Sequence, residues 1–144
     1  MHGNGNDFVI MNSIDSDISL TEDFIKNIAS RENGIGFDQL ILVSPPEDHR
    51  HDFLVQFFNA DGGEAMMCLN GIRCASRYIW MSNFAPTRKM ILETRSKVTL
   101  VEPLGEVNVI ATIDIPNFYK DPELELALKK LIDMPFSLID AGNL

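Results

Sequence analysis

Two cysteines, three histidines and four side-chain amides beside tight turns or strand ends are the residues of this 144-residue chain whose types and spacing suit chemistry. Cys68 leads them. It sits in Met66-Met67-Cys68-Leu69-Asn70-Gly71, immediately ahead of a segment with helical periodicity. Free N–H groups and the positive end of a helix dipole lower a thiol pKa, so a thiolate near neutral pH is expected there. The same N–H groups form an anion site, suited to a substrate carboxylate. Base and carboxylate anchor side by side are what attack on an amino acid's α-proton requires. The competing reading makes Cys68 a small buried hydrophobe in a loop. Cys74, six residues on, shares a helical face with Tyr78 and Met81 and reads as core.

The amides are Asn6, Gln39, Asn59 and Asn70, each at a glycine-rich or strand-end junction. A neutral amide both donates to a carboxylate and accepts from an ammonium, so a small zwitterion suits the set. Taken singly, each also fits a turn or capping role. His2, His49 and His51 show no metal-ligand spacing with one another or with the cysteines, and no metal is assigned. Gly3-Asn4-Gly5-Asn6-Asp7-Phe8 has the look of a phosphate loop, yet it lacks the strand-then-helix context of a dinucleotide or P-loop motif.

The elements that must position these residues follow from periodicity. Ser19-Leu20-Thr21-Glu22 has capping-box form, and Leu20, Phe24, Ile25 and Ile28 recur at helical spacing before Asn33-Gly34. Gln39 to Ser44 and Phe53 to Phe58 read as strands of a hairpin across Glu47-Asp48-His49-Arg50-His51. Asn70 to Ser82 reads as a helix with apolar residues on more than one face, hence buried on more than one side. Met90 to Thr94, Lys97 to Glu102 and Val107 to Ile115 read as further strands, the latter two joined across Pro103-Leu104-Gly105-Glu106. A helix is expected from Asp121-Pro122 to about Ile132, and a strand over 136–141. Strands outnumber helices without alternating with them. The fold class is therefore α+β, a mixed, mostly antiparallel sheet curled around the central helix.

Composition bounds the partners. Twelve Lys+Arg against 21 Asp+Glu give a net charge of −9, and no basic run exceeds Arg88-Lys89, which argues against nucleic acid and anionic membrane. No apolar run approaches the roughly 18 residues of a membrane span, and the N-terminus lacks signal-peptide layout. A cytoplasmic chain with reduced thiols is the expectation.

Four ordered segments then resemble one family, diaminopimelate epimerase, over its N-terminal half. They are Met1-His2-Gly3-Asn4-Gly5-Asn6-Asp7-Phe8, Gly34-Ile35-Gly36-Phe37-Asp38-Gln39-Leu40, Phe58-Asn59-Ala60-Asp61-Gly62 and Cys68-Leu69-Asn70-Gly71-Ile72-Arg73-Cys74. The resemblance implies a two-domain fold, each domain a sheet around a central helix. It implies epimerisation without pyridoxal phosphate or other cofactor, in lysine and peptidoglycan precursor synthesis. It makes Cys68 one of two catalytic cysteines, one from each domain, with Asn6, Gln39, Asn59, Leu69, Asn70 and Asn143 at substrate-contacting positions. Leu69 stands where the family usually has Gly, and Leu144 where Pro is usual.

On this basis residues 1–135 are expected to form the N-terminal epimerase domain and 136–144 the start of a crossover into a second. The chain then needs a complementary C-terminal domain or second chain, with a homodimer as a further possibility, and is inactive alone. Two alternatives stay open: a related racemase or isomerase of the same fold acting on another small amino acid, and a non-catalytic remnant or interaction domain.

Overall fold

The computed structural model describes residues 1–114 together with 117–118, 122–123, 126 and 139–140. The chain divides into two compact units, Met1–Ile113 and Asp114–Leu144. The first holds β1 (His2–Gly3), β2 (Asn6–Asn12), α1 (Glu22–Ala29), β3 (Gln39–Ser44), β4 (Phe53–Asn59), β5 (Glu64–Ala65), α2 (Leu69–Met81), β6 (Met90–Glu93), β7 (Val98–Leu104) and β8 (Asn108–Thr112). In the second, β9 (Asn117–Phe118) pairs antiparallel with β10 (Ile139–Asp140). Of the helix expected over 121–132, residues 122, 123 and 126 are helical; its other residues and most of the strand expected over 136–141 lie outside the described residues.

The first unit is built on one sheet in the order β1-β2-β3-β4-β6-β7-β8, with β5 paired to β4. Only β2–β3 and β4–β6 are parallel, so the sheet is mixed and mostly antiparallel, as expected. Helix α2 touches β1 at one end of this order and β8 at the other, along with β2, β3 and β4 between them. The sheet is therefore curled around α2, because no flat sheet could bring both edges to one helix. Two-sided burial of α2 follows: Ile72, Ala75, Ser76 and Ile79 are fully buried, and Cys74 and Trp80 nearly so.

Strand β3 is the hinge between two cores. Ile41 and Val43 face the cluster around α2, while Leu40 and Leu42 join Ile25, Ala29 and Phe37 under α1. A continuous apolar run covered on both faces is what places β3 mid-sheet. Each such side chain contributes roughly 1.5–3 kcal/mol by leaving water.

Several boundaries differ from those read in the sequence. Helix α1 starts two residues later than Ser19 suggested: Thr21 is the N-cap and its Oγ1 accepts from the Phe24 N–H at 3.2 Å. Leu20 and Ile25, flanking that cap, share the α1 cluster as a hydrophobic staple. The β7–β8 turn is shorter than Pro103 to Glu106, since Pro103 and Leu104 pair with Val109 and Asn108. Met81 does not share the buried face of Cys74; it is 64% exposed at the end of α2. Strand β2 and the short β1 before it form a hairpin where the sequence shows chiefly a glycine-asparagine turn.

The β3–β4 loop is anchored by one carboxylate. Glu93 accepts from the Glu47 and Asp48 N–H groups at 2.8 and 3.0 Å and pairs with His51 Nδ1. Burial alone pushes the Glu93 carboxyl up, but the His51 ring and the two N–H groups outweigh it and hold it below the usual glutamate range. A depressed carboxyl contributes stability above its unfolded pKa and loses it as pH falls through the folded value. Wild-type stability should therefore drop on acidification below the ordinary glutamate range. Glu93→Gln should remove that pH dependence and lower stability at pH 7 by about 1–3 kcal/mol, read by urea denaturation.

Candidate functional site

The topology gathers the sequence-selected amides at one rim of the sheet. Strands β2 and β3 are parallel, so Asn6 and Gln39 both stand at strand starts; β4 runs against them, so its last residue, Asn59, falls opposite Gln39. Gln39 Nε2 donates to Asn59 Oδ1 at 2.8 Å. No described residue takes Gln39 Oε1 or Asn59 Nδ2, which leaves one acceptor and one donor at the rim. That is the complement of a zwitterion.

Helix α2 brings its first turn to the same rim. Asn70 Nδ2 donates to Asn6 Oδ1 at 3.0 Å, and Arg73 Nη2 donates to Asn70 Oδ1 at 2.9 Å. Cys68 is the N-cap of α2, in extended backbone, with Sγ accepting from the Gly71 N–H at 3.4 Å. The preceding loop is held by buried Met67 and by Ser96 Oγ, which donates to the Met66 carbonyl at 3.2 Å. Leu69, the first helical residue, is exposed. Asn143 lies outside the described residues.

The expected thiolate is not what this geometry produces. Burial pushes the Cys68 thiol up, and the N–H groups of Gly71 and Asn70 and the charge of Arg73 oppose that shift without overcoming it. A helix N-terminus stabilises a thiolate only as far as the site stays wet, and here Cys68 packs against the main core. In the free chain it is a thiol at neutral pH. Alkylation of Cys68 by iodoacetamide should rise with pH around a midpoint above that of a free thiol; a midpoint below it would contradict this assignment.

Cys74 is only 6% exposed, and its Sγ lies where a side chain on Gly3 would go, 2.9 Å from the position of its Cβ. It borders a cavity of about 390 Å³ between β1, α2 and β8, which shares Arg73 with the amide rim. No group of three or more His, Cys, Asp or Glu among the described residues is arranged to hold a metal.

Sequence reasoning missed three charged neighbours of the rim. Arg73 follows Asn70 by one helical turn, a spacing that could have revealed it. Asp38 and Arg31, which reach Asn6 and Asp7, come together only through the fold.

The family model for diaminopimelate epimerase matches residues 1–114, the whole of the curled sheet and its helix. The chain belongs to the diaminopimelate epimerase family. A diaminopimelate epimerase from Chromobacterium violaceum is 37% identical over 118 residues, which is 82% of this chain and 43% of that protein. The chain thus spans less than half the length of this curated relative. Among solved structures, a PhzF-family phenazine biosynthesis protein from Bacillus anthracis superposes with a TM-score of 0.59 at 18% identity, over 81% of this chain and 38% of that one. A methylitaconate-delta-isomerase does so with a TM-score of 0.51 at 14% identity, over 77% and 60%. These two likenesses are of fold: the same curled sheet around a helix carries differently named activities.

Proposed function

We propose that this chain supplies one half of a cofactor-independent amino-acid epimerase that interconverts LL- and meso-diaminopimelate in the cytoplasm, for lysine and peptidoglycan precursors. The observation that carries the reading is that Cys68 caps α2, whose first turn carries Asn70 to Asn6 at the strand-start rim where Gln39 and Asn59 are bonded to each other. Family membership over residues 1–114 supports it.

Inversion at an α-carbon needs a base on one face and an acid on the other. Cys68, protonated in the free domain, is the acid in one direction: its S–H proton goes to the α-carbon while an opposing base takes the original α-proton. In reverse, the Cys68 thiolate takes the proton and the opposing acid returns one. Each turnover leaves the two groups with exchanged protonation, and no electrons are gained or lost. The first-turn N–H groups of α2 hold the substrate carboxylate, and Gln39 Oε1 accepts from its ammonium. Leu69 and Asn143 complete the contacts carried over from the family. The opposing group comes from a complementary C-terminal domain or second chain, so the chain alone is inactive; a homodimer is compatible with this arrangement.

The test is solvent-deuterium uptake at the α-carbon across a panel of amino acids, by the chain completed with a polypeptide that supplies the other half. Uptake confined to diaminopimelate is the expected result. Preference for another amino acid would overturn the substrate, and no uptake by the completed enzyme would overturn the reading itself.

A further inference from the structure

Asp38 belongs to the Gly34–Gln39 segment but has no role in the site as described so far. Its carboxylate is divided between two sets of donors. Oδ2 accepts from the Asp7 backbone N–H at 2.9 Å and from Asn6 Nδ2 at 3.4 Å, and Oδ1 accepts from Arg31 Nη2 at 2.9 Å. Arg31 Nη1 also reaches Asp7 Oδ2 at 3.2 Å, and the Asp38 N–H donates to the Asp7 carbonyl at 3.0 Å. The turn between α1 and β3 allows this. Gly36, at φ +76°, lies against Arg31, where a Cβ would stand 3.0 Å from Cγ and 3.1 Å from Cα.

These are half-exposed groups, and exposed ion pairs add little to stability. Their consequence is orientation. A side-chain amide has one donor end and one acceptor end, so committing Asn6 Nδ2 to Asp38 turns Asn6 Oδ1 into the acceptor for Asn70 Nδ2. Asn70 then presents its own Oδ1 to Arg73. A line of hydrogen bonds runs from the end of α1 to the first turn of α2, two residues from Cys68.

We propose that Asp38 is a positioning residue: its Oδ2 fixes the orientation of the Asn6 amide, and through Asn6 that of Asn70 at the mouth of the site. Its consequence for catalysis rests on the function proposed above; its geometry does not. The function of the carboxylate here is that of an acceptor rather than a charge. Asp38→Asn can keep an oxygen toward Asp7 and Asn6 but gives up the bond from Arg31, because its NH₂ cannot accept from a guanidinium and the exposed Arg31 keeps only Asp7; it should therefore preserve the Asn6 orientation that Asp38→Ala destroys.

Side-chain amide resonances of the ¹⁵N-labelled chain test this without any activity. In Asp38→Ala, hydrogen exchange of the Asn6 and Asn70 NH₂ groups should accelerate about fivefold, and in Asp38→Asn it should stay within about twofold of wild type. Should Asp38→Ala not fold, Asp38→Ser carries the same expectation, since its hydroxyl is too short to reach Asn6. Unmoved Asn70 signals in Asp38→Ala, or equal changes in the Ala and Asn variants, overturn the proposal. In the completed enzyme Asp38→Ala should raise KM about fivefold with a smaller change in kcat, and Asp38→Asn should restore it. Absence of deuterium uptake in the wild-type completed enzyme would instead fail the functional reading and leave the amide result standing.

Discussion

Cys68→Ala in the completed enzyme is expected to lower deuterium uptake at the diaminopimelate α-carbon by about 10²- to 10⁴-fold, and Cys74→Ala by no more than about threefold. Both thiols lie at or in one helix, six residues apart, yet they occupy different surroundings. Cys68 is the half-buried cap of α2 beside the open rim, and removing it removes the proton carried to one face of the substrate. Cys74 packs in the core against Gly3, so its loss leaves a small cavity and the chemistry intact. Stability separates the two in the opposite order: Cys74→Ala should lower the thermal midpoint more than Cys68→Ala. Equal activity losses in the two variants would mean that the effect travels through α2 packing, and the acid/base role of Cys68 would fall. The isolated wild-type chain should show no uptake under the same conditions.

The contrast between the cysteines was legible in the sequence, because helical periodicity places Cys74 on an apolar face with Tyr78 and Met81, of which Met81 is in fact exposed, and Cys68 before the first turn. Position relative to a dipole is likewise a local property. The direction of the Cys68 shift was not legible, since burial of the cap depends on the core cluster against which it packs. The same division holds for the fold. Strands β3 and β4 announce themselves as apolar runs bounded by turn residues, whereas β2 is half-exposed and hidden behind Asn4-Gly5, and the two-residue β1 and β5 exist only through their partners. The four rim amides could be named from their turns, but the bonds among them span 20 and 64 residues, Gln39 to Asn59 and Asn6 to Asn70, and Asn6 reaches Asp38 across 32. No spacing rule reaches that far. Asp38 therefore became visible only when parallel pairing set β2 beside β3.

Phe57→Ala is expected to destabilise the first unit by about 3–5 kcal/mol, the usual loss for deleting a fully buried aromatic ring. The ring is fully buried under the first turn of α2, in the contact that seats the helix on the sheet. Gly71 marks that contact: a Cβ there would lie 2.5 Å from Phe57 Cε1, 3.0 Å from Cδ1 and 3.3 Å from Ile41 Cδ1. Two effects compete in Gly71→Ala. Alanine in a helix gains about 1 kcal/mol over glycine, and overpacking a closed core loses about 1–3 kcal/mol, so the net is a loss of up to about 2 kcal/mol. If the ring is the obstacle, shortening it should release the helix gain. Gly71→Ala combined with Phe57→Leu should then be more stable than the sum of the single variants by about 1–2 kcal/mol, whereas independent sites add within about 0.5 kcal/mol. Additivity in urea denaturation would show that Gly71 does not seat α2 on Phe57. Because Asn70 precedes Gly71 and the Gly71 N–H donates to Cys68 Sγ, the single Gly71→Ala change should also shift the Asn70 side-chain amide, and the double variant should return it. The packing of one glycine against one ring thereby seats the turn of α2 that carries both Cys68 and Asn70.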